Sequence, residues 1–477
     1  MRTRPLIEVA LVATLVPALV AAPALPHATL TATTPEAGAS LGAAPARVVL
    51  RFDEPVETAG GAVRVYDARR EQVQAGTPFH LAGDARTLAV RLRPALAKGG
   101  YVATFRTVSV DSHAVSGGFP FDIGGAGHSA VASVSELQAG QGGWPLTSAA
   151  FAAVRAIQYA AIALGIGVLA VLLLAWLPAL RAVATPVVSW QIASAAFAHR
   201  ARALLQGAAV GGVVTAWLAL PLQAATTQGT SPWSALGDVP LVLSTRFGVI
   251  WGSAVLAWLA VAVIVAGNGV LIPVLRPATL GATGVALPGA GGWLPAVAAP
   301  VMALALLPGL AGHAGARPPV VVLLPANLLH VLAAGAWIGG LAVLVVALPA
   351  AARRLDGPQR SELLSGVLAR FSTLALTAVG LVLAGGVAQS LLELGAPGDL
   401  IGTPFGRAVS VKAALVAGLL ACGAVNRRRA LPALARAASE GRADGGSADV
   451  LRRTLRIEVA LGLAALATSG ALAGYQP

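Results

Sequence analysis

Hydrophobic and polar positions follow two rhythms along the chain. Between residues 47 and 123 they alternate. The runs 47–52, 62–66, 87–93, 101–108 and 119–123 put apolar residues at near-alternate positions, as half-buried strands require. Turn signals separate them at Ala59-Gly-Gly61, Ala82-Gly-Asp84 and Lys98-Gly-Gly100. Short strands at this spacing predict an all-β Greek-key, immunoglobulin-like sandwich over 27–124. Residues 125–148 then read as a small, polar, glycine-rich tether, with Trp144-Pro145 marking a membrane interface. From 149 to 477 the alternation gives way to long apolar runs. About eight of them, near 150–178, 203–224, 247–268, 293–312, 320–348, 371–392, 405–425 and 455–474, are long enough to cross a bilayer as helices.

The first 26 residues follow a third pattern. Arg2 and Arg4 precede an apolar run over 9–22 and the small-residue stretch Ala22-Pro23-Ala24, which is the layout of a secretory signal peptide. Cleavage after Ala24 fits best and leaves Leu25-Pro26-His27 at the mature start. An uncleaved anchor is the alternative, but Pro17 and the short apolar core weigh against it.

Composition supports a membrane protein, with 56% hydrophobic and 11% charged residues. The net charge of +13 does not point to nucleic acid, because the basic residues sit in short loops between apolar segments. Export of the amino-terminal domain makes the loops alternate outside and inside. The loops expected inside carry Arg181, Arg200, Arg202, Arg276, Arg353, Arg354, Arg360, Arg370 and the arginines of 427–456. That bias predicts a multi-pass plasma (inner) membrane protein with both ends on the external, periplasmic side. Cys422 is the single cysteine, and Met1 and Met302 are the two methionines. Thiolate cages and thioether-rich copper(I) sites are thereby excluded.

A weak internal repeat is visible. Leu169-Ala-Val-Leu172 with Leu177-Pro-Ala179 matches Leu341-Ala-Val-Leu344 with Leu348-Pro-Ala350, and Thr245-Arg-Phe-Gly248 matches Thr403-Pro-Phe-Gly406. Two four-span halves would explain it, as would chance among Ala/Leu/Val-rich helices. Polar residues inside spans are costly and are functional candidates. Those of the outer half are Gln158, His313, His330, Gln389 and Lys412, from five expected spans, and Glu458 lies near the inner end of the last. A shared cavity and simple interhelical hydrogen bonding are the two readings of this set. The run Gly335–Gly340 around Trp337 reads as close helix packing.

The remaining candidate chemistry lies where one strand ends and the next begins, in Ser109-Val-Asp-Ser-His-Ala-Val-Ser-Gly-Gly118. In extended backbone Asp111 and His113 point to the same side. Imidazole plus carboxylate suits copper(II), nickel or zinc. A histidine merely oriented by the aspartate is the plainer reading.

The β domain resembles the CopC family of periplasmic copper-binding proteins. The residues that carry the likeness are His27-Ala28, Thr34-Pro-Glu-Ala-Gly38, Leu50-Arg-Phe-Asp-Glu-Pro-Val56, and 108–117 with Phe119 and Phe121. The membrane part resembles CopD, the inner-membrane copper resistance family, through His330, Trp337-Ile-Gly-Gly340, Arg370-Phe-Ser372, Phe405-Gly-Arg407, Lys412 and Asn426-Arg427. The resemblance implies a copper(II) site made by the mature amino group, His27, Asp111 and His113. Apart from the resemblance, His313 and His330 are candidate ligands in the membrane domain, because histidine is the common metal ligand. The family's methionine-rich copper(I) site is absent here. An amino-terminal His27 requires cleavage before it, or trimming of Leu25-Pro26.

The expected function is capture of copper(II) outside the membrane and its import or homeostasis, without catalysis. An external copper buffer or donor is the alternative, and a histidine-brace copper oxidase is a third. The expected partners are copper ions and the lipid bilayer, with no nucleic acid. A homo-oligomer or a cuproenzyme acceptor is left open.

Overall fold

The computed structural model of the chain describes residues 28–58, 62–109, 114–125, 145–182, 188–267, 293–315, 319–393, 398–440 and 445–474. Eight strands build the first part: β1 (Leu30–Thr34), β2 (Ser40–Leu41), β3 (Arg47–Phe52), β4 (Ala62–Tyr66), β5 (Gln74–Phe79), β6 (Thr87–Leu92), β7 (Gly99–Val108) and β8 (Ala114–Ile123). They form two four-stranded sheets, ordered β1-β3-β6-β5 and β2-β8-β7-β4. The alternating residues Leu50, Phe52, Val63, Val65, Leu88, Val90, Phe105 and Phe121 meet between the sheets and form a core of their own. β7 and β8 are the longest pair, in register from Gly99↔Ile123 to Val108↔Ala114. This long hairpin fixes the end of the sandwich from which the chain runs on into residue 110.

The second part is helical. Its elements are α1 (Pro145–Val171), α2 (Leu177–Ala182), α3 (Val188–Gln228), α4 (Val239–Leu243), α5 (Arg246–Ala266), α6 (Trp293–Leu310), α7 (Val320–Ala334), α8 (Gly340–Val346), α9 (Leu348–Ala352), α10 (Gly357–Glu393), α11 (Asp399–Gly402), α12 (Pro404–Val425), α13 (Leu431–Ser439) and α14 (Gly445–Leu472). Single π-helical turns, Leu172–Trp176, Gly335–Gly339 and Asn426–Ala430, join α1 to α2, α7 to α8 and α12 to α13.

Among the described residues seven helical rods are long and apolar enough to cross a membrane. The fourth of the eight expected spans differs. Its described apolar stretch, Ala296–Leu310, is shorter than the others, and α6 carries Pro300 and Pro308. Several rods also outrun the apolar runs that announced them. α1 begins at Pro145 rather than near 149, since proline is well suited to a first helical turn. α3 begins at Val188 rather than near 203 because Phe197, Ala198 and Ala201 are buried despite the arginines between and beyond them.

The small-residue run packs as its composition suggests. A Cβ on Gly339 would stand 1.8 Å from the Ala163 carbonyl oxygen, and one on Gly167 would stand 2.2 Å from the Gly339 carbonyl carbon. The two backbones therefore touch where α1 passes the π turn. The second repeat pair also has matching geometry. Thr245 and Thr403 each cap a helix by accepting from the amide three residues on, at 3.2 and 2.9 Å. Each follows a short helix, and a Cβ on either Gly248 or Gly406 would strike that short helix's backbone.

Candidate functional site

His27, Asp111 and His113 lie outside the described residues. The framework on either side of them is described. Ala28 is buried, and the Thr29 amide donates to Asp53 Oδ1 at 2.6 Å while the Asp53 amide donates to the Thr29 carbonyl at 3.1 Å. At the far end of β7, Ser109 pairs with Val56 and its hydroxyl is 3.5 Å from Glu54 Oε2. One short segment, from Asp53 to Val56, thus holds both the chain leaving residue 27 and the chain about to reach residue 111. Among the described residues no group of three His, Cys, Asp or Glu side chains could hold a metal ion.

The same corner of the sandwich rests on the helical part. Arg106, on β7, donates from Nε and Nη2 to the Thr226 carbonyl in the last turn of α3, at 3.0 and 2.7 Å. Burial lowers its guanidinium pKa below the usual value. Glu57, whose amide donates to the Val108 carbonyl, accepts from the Arg246 amide in the first turn of α5 at 3.3 Å. A cation on a helix C-terminus and an anion on a helix N-terminus both complement the helix dipoles. The sandwich is thus seated on the helix ends, and residues 126–144 of the expected tether lie outside the described residues.

The polar residues of the helices divide into satisfied and unsatisfied groups. Gln158 is fully buried, and its amide is 2.8 Å from the Thr215 hydroxyl. With its nitrogen turned to Thr215, its oxygen accepts from Trp258 Nε1 at 3.0 Å. That network occupies Gln158 in packing α1 against α3 and α5. Glu458 is buried and accepts from Asn426 Nδ2 at 2.8 Å, and Asn426 in turn accepts from the Thr454 hydroxyl. These bonds tie α14 to the π turn after α12.

His330 differs. Its Nδ1 is buried and has no hydrogen-bond partner among the described residues. A Cβ on Gly385 of α10 would stand 3.2 Å from that nitrogen. Lys412 of α12 interacts with the His330 ring electrostatically. Gln389 lies one turn from Gly385, so it shares a face of α10 with it. His330 and Gln389 therefore lie where α7 packs against α10, and Lys412 acts on the His330 ring electrostatically from α12. Asn327, one turn above His330 on α7, carries a second buried unpartnered atom, Oδ1, which a Cβ on Gly309 of α6 would approach to 2.9 Å. Asn327 is absent from the candidates read from the sequence, although its i, i+3 spacing from His330 was the available signal. His313 opens the 3-10 turn His313–Gly315 that follows α6, and its side chain lies outside the described residues.

A two-sheet domain seated on a bundle of apolar helices, with a polar seam part-way into that bundle, defines a multi-pass membrane protein with one folded extramembrane domain. Residues 30–124 match the family described as CopC domain, and residues 365–472 match Copper resistance protein D. The chain belongs to this copper resistance family, with both domains in one polypeptide. It is 29% identical over 449 residues to the Copper transport protein CutJ of Bacillus subtilis, a match that covers 93% of this chain and 73% of that protein. The sandwich is 32% identical over 97 residues to the protein YobA of Escherichia coli K12, covering 20% of this chain and 78% of that one. The crystal structure of CopC from Methylosinus trichosporium OB3b is similar at 33% identity over 20% of this chain and 93% of its own, with a TM-score of 0.19.

Proposed function

We propose that this protein captures copper(II) outside the cell membrane with its sandwich domain and passes it inward through the helical domain. The observation that carries the reading is the pairing of a CopC domain and a CopD region in one chain, with similarity to a copper transport protein over 93% of this chain. In this reading the sandwich is Greek-key and external, an eighth span is made by α6, and the arginine-bearing loops face the cytoplasm. His27, Asp111 and His113 are the copper(II) ligands, a nitrogen and oxygen set that suits that ion. The attachment of Thr29 and Ser109 to the segment from Asp53 to Val56 supports bringing His27 near the other two. His313 and then His330 are the next ligands, with Lys412 setting the local charge. No catalytic step enters this reading.

The test uses the full chain in vesicles with copper(II) outside and a copper-sensing dye inside. His113→Ala should lose both copper(II) binding and uptake. His330→Ala should keep binding and lose uptake. Copper accumulation at the wild-type rate in His330→Ala, with equal protein in the membrane, would exclude the transfer role. Binding without any uptake by the wild-type chain would make the protein an external copper buffer or donor.

A further inference from the structure

The docked corner contains a residue that joins more than two parts. The Arg246 amide holds Glu57 of the sandwich. The Arg246 guanidinium, through Nη2, donates to the Leu310 carbonyl at the end of α6 at 2.9 Å and to the Gly315 carbonyl at 2.8 Å. Those two carbonyls bracket the turn His313–Gly315. The fit is close, since a Cβ on Gly315 would stand 2.8 Å from the same guanidinium nitrogen. One side chain thus clamps the connection between α6 and α7, and its own backbone receives the sandwich. The other anchor, Arg106 on the Thr226 carbonyl, sets the sandwich's second point of contact. Two anchors on two different helix ends fix an orientation, which one anchor cannot do.

We infer that Arg246 is the positioning residue for delivery from the sandwich to the helical domain. It holds the docked sandwich and the turn that begins at His313 in one fixed relation. The inference rests on the proposed transfer of copper between the two domains. It assigns Arg246 no contact with the ion. Nη2 alone serves both carbonyls with its two N–H groups, and the planar guanidinium holds those donors in fixed directions that a rotatable ammonium does not. Positioning groups of this kind commonly govern 10-fold to 100-fold in rate or affinity, a range of roughly one to two decades.

The experiment uses the full chain with Cys422→Ser, a nitroxide on Trp233→Cys in the exposed loop after α3, and copper(II) bound outside. Copper(II) occupancy, vesicle uptake and the copper–nitroxide distance distribution are read on the same samples. Glu57→Ala should keep wild-type copper(II) occupancy, broaden the distance distribution and slow uptake by roughly tenfold or more. Arg246→Ala retains the backbone amide from which Glu57 accepts and should keep occupancy and a narrow distribution while slowing uptake to a similar degree. Arg246→Lys keeps the amide contact and should retain a narrow distribution with intermediate uptake. Glu57→Ala decides the matter if Arg246→Ala does not insert, because Glu57 lies in the separately cored sandwich. A narrow distribution, or wild-type uptake, in Glu57→Ala overturns the positioning role. If the wild-type chain binds copper but moves none, the transfer reading falls on its own account. The distance distribution of Glu57→Ala still decides whether this contact fixes the sandwich.

Discussion

Gly385→Ala separates the use of His330 from its packing. The added methyl would stand 3.2 Å from His330 Nδ1, 3.7 Å from its Cβ and 3.8 Å from its Cγ. Only the first of these is tight, so the ring must give by a few tenths of an ångström. Moving a side chain off its rotamer by about 30° costs about 0.5–1.5 kcal/mol. Alanine for glycine in a helix interior contributes about 1 kcal/mol of opposite sign. The two nearly cancel, so thermal stability in detergent should stay within roughly 1 kcal/mol of wild type. Access to Nδ1 changes far more. A metal ion bonded to imidazole lies about 2 Å from the nitrogen, and on the Gly385 side it would overlap the new methyl. Uptake should therefore fall roughly tenfold or more while stability holds. Vesicle uptake and melting temperature are measured on the same preparation. Wild-type uptake with wild-type melting would refute the use of Nδ1 in transfer.

Two further outcomes are expected. Gly339→Ala meets backbone rather than a movable side chain, at 1.8 Å from the Ala163 carbonyl oxygen, so α1 and the π turn must part; a loss of about 1–3 kcal/mol or more should appear as a lower melting temperature with copper(II) binding unchanged. Copper(II) in the proposed site of imidazole and amino group requires both deprotonated, so binding to the full chain should begin to weaken as pH falls below about 8 and fall further below about 6.5, with protons released on binding in a calorimetric titration.

How much of this was legible in the sequence depends on how local each signal is. The strands of the sandwich core were readable because alternation is a property of neighbours, and Phe105 and Phe121 lie inside as that pattern requires. β5 escaped notice because Gln74–Phe79, with its glycine and proline, lacks a clear alternation and lies at the sheet edge. The apolar runs announced the rods but not their lengths, since Phe197 and Ala201 extend the buried face of α3 past a charged stretch. The π turns leave no mark in a 3.6-residue period. Gln158 looked like a functional candidate because a polar side chain in lipid is costly. Thr215, 57 positions away, meets that need. The seat of the sandwich was equally invisible, because Arg106 finds Thr226 across 120 residues and Glu57 finds Arg246 across 189.

Asn327 and His330 remain to be accounted for in the energetics. A buried polar atom without a partner costs about 1–3 kcal/mol, and here two of them occur one turn apart on α7. Gln158 shows that the same bundle can satisfy a buried amide fully, while Trp176 and Trp251 also keep buried Nε1 atoms without a partner among the described residues. In the proposed transfer, a ligand that visits Asn327 and His330 would offset their cost. Lys412 then decides what kind of visit this is. An ammonium repels a neighbouring cation, and a divalent ion twice as strongly as a monovalent one. A cation at His330 is attracted by a nitrogen lone pair and repelled by its ammonium neighbour, so it is held weakly. Weak holding is what conduction past a site requires, because an ion bound tightly enough to rest there could not leave. The capture step, by contrast, has no such cation among its proposed ligands. In the proposed function, tight binding at the sandwich and loose binding at His330 would give the ion a place to collect and a place to pass.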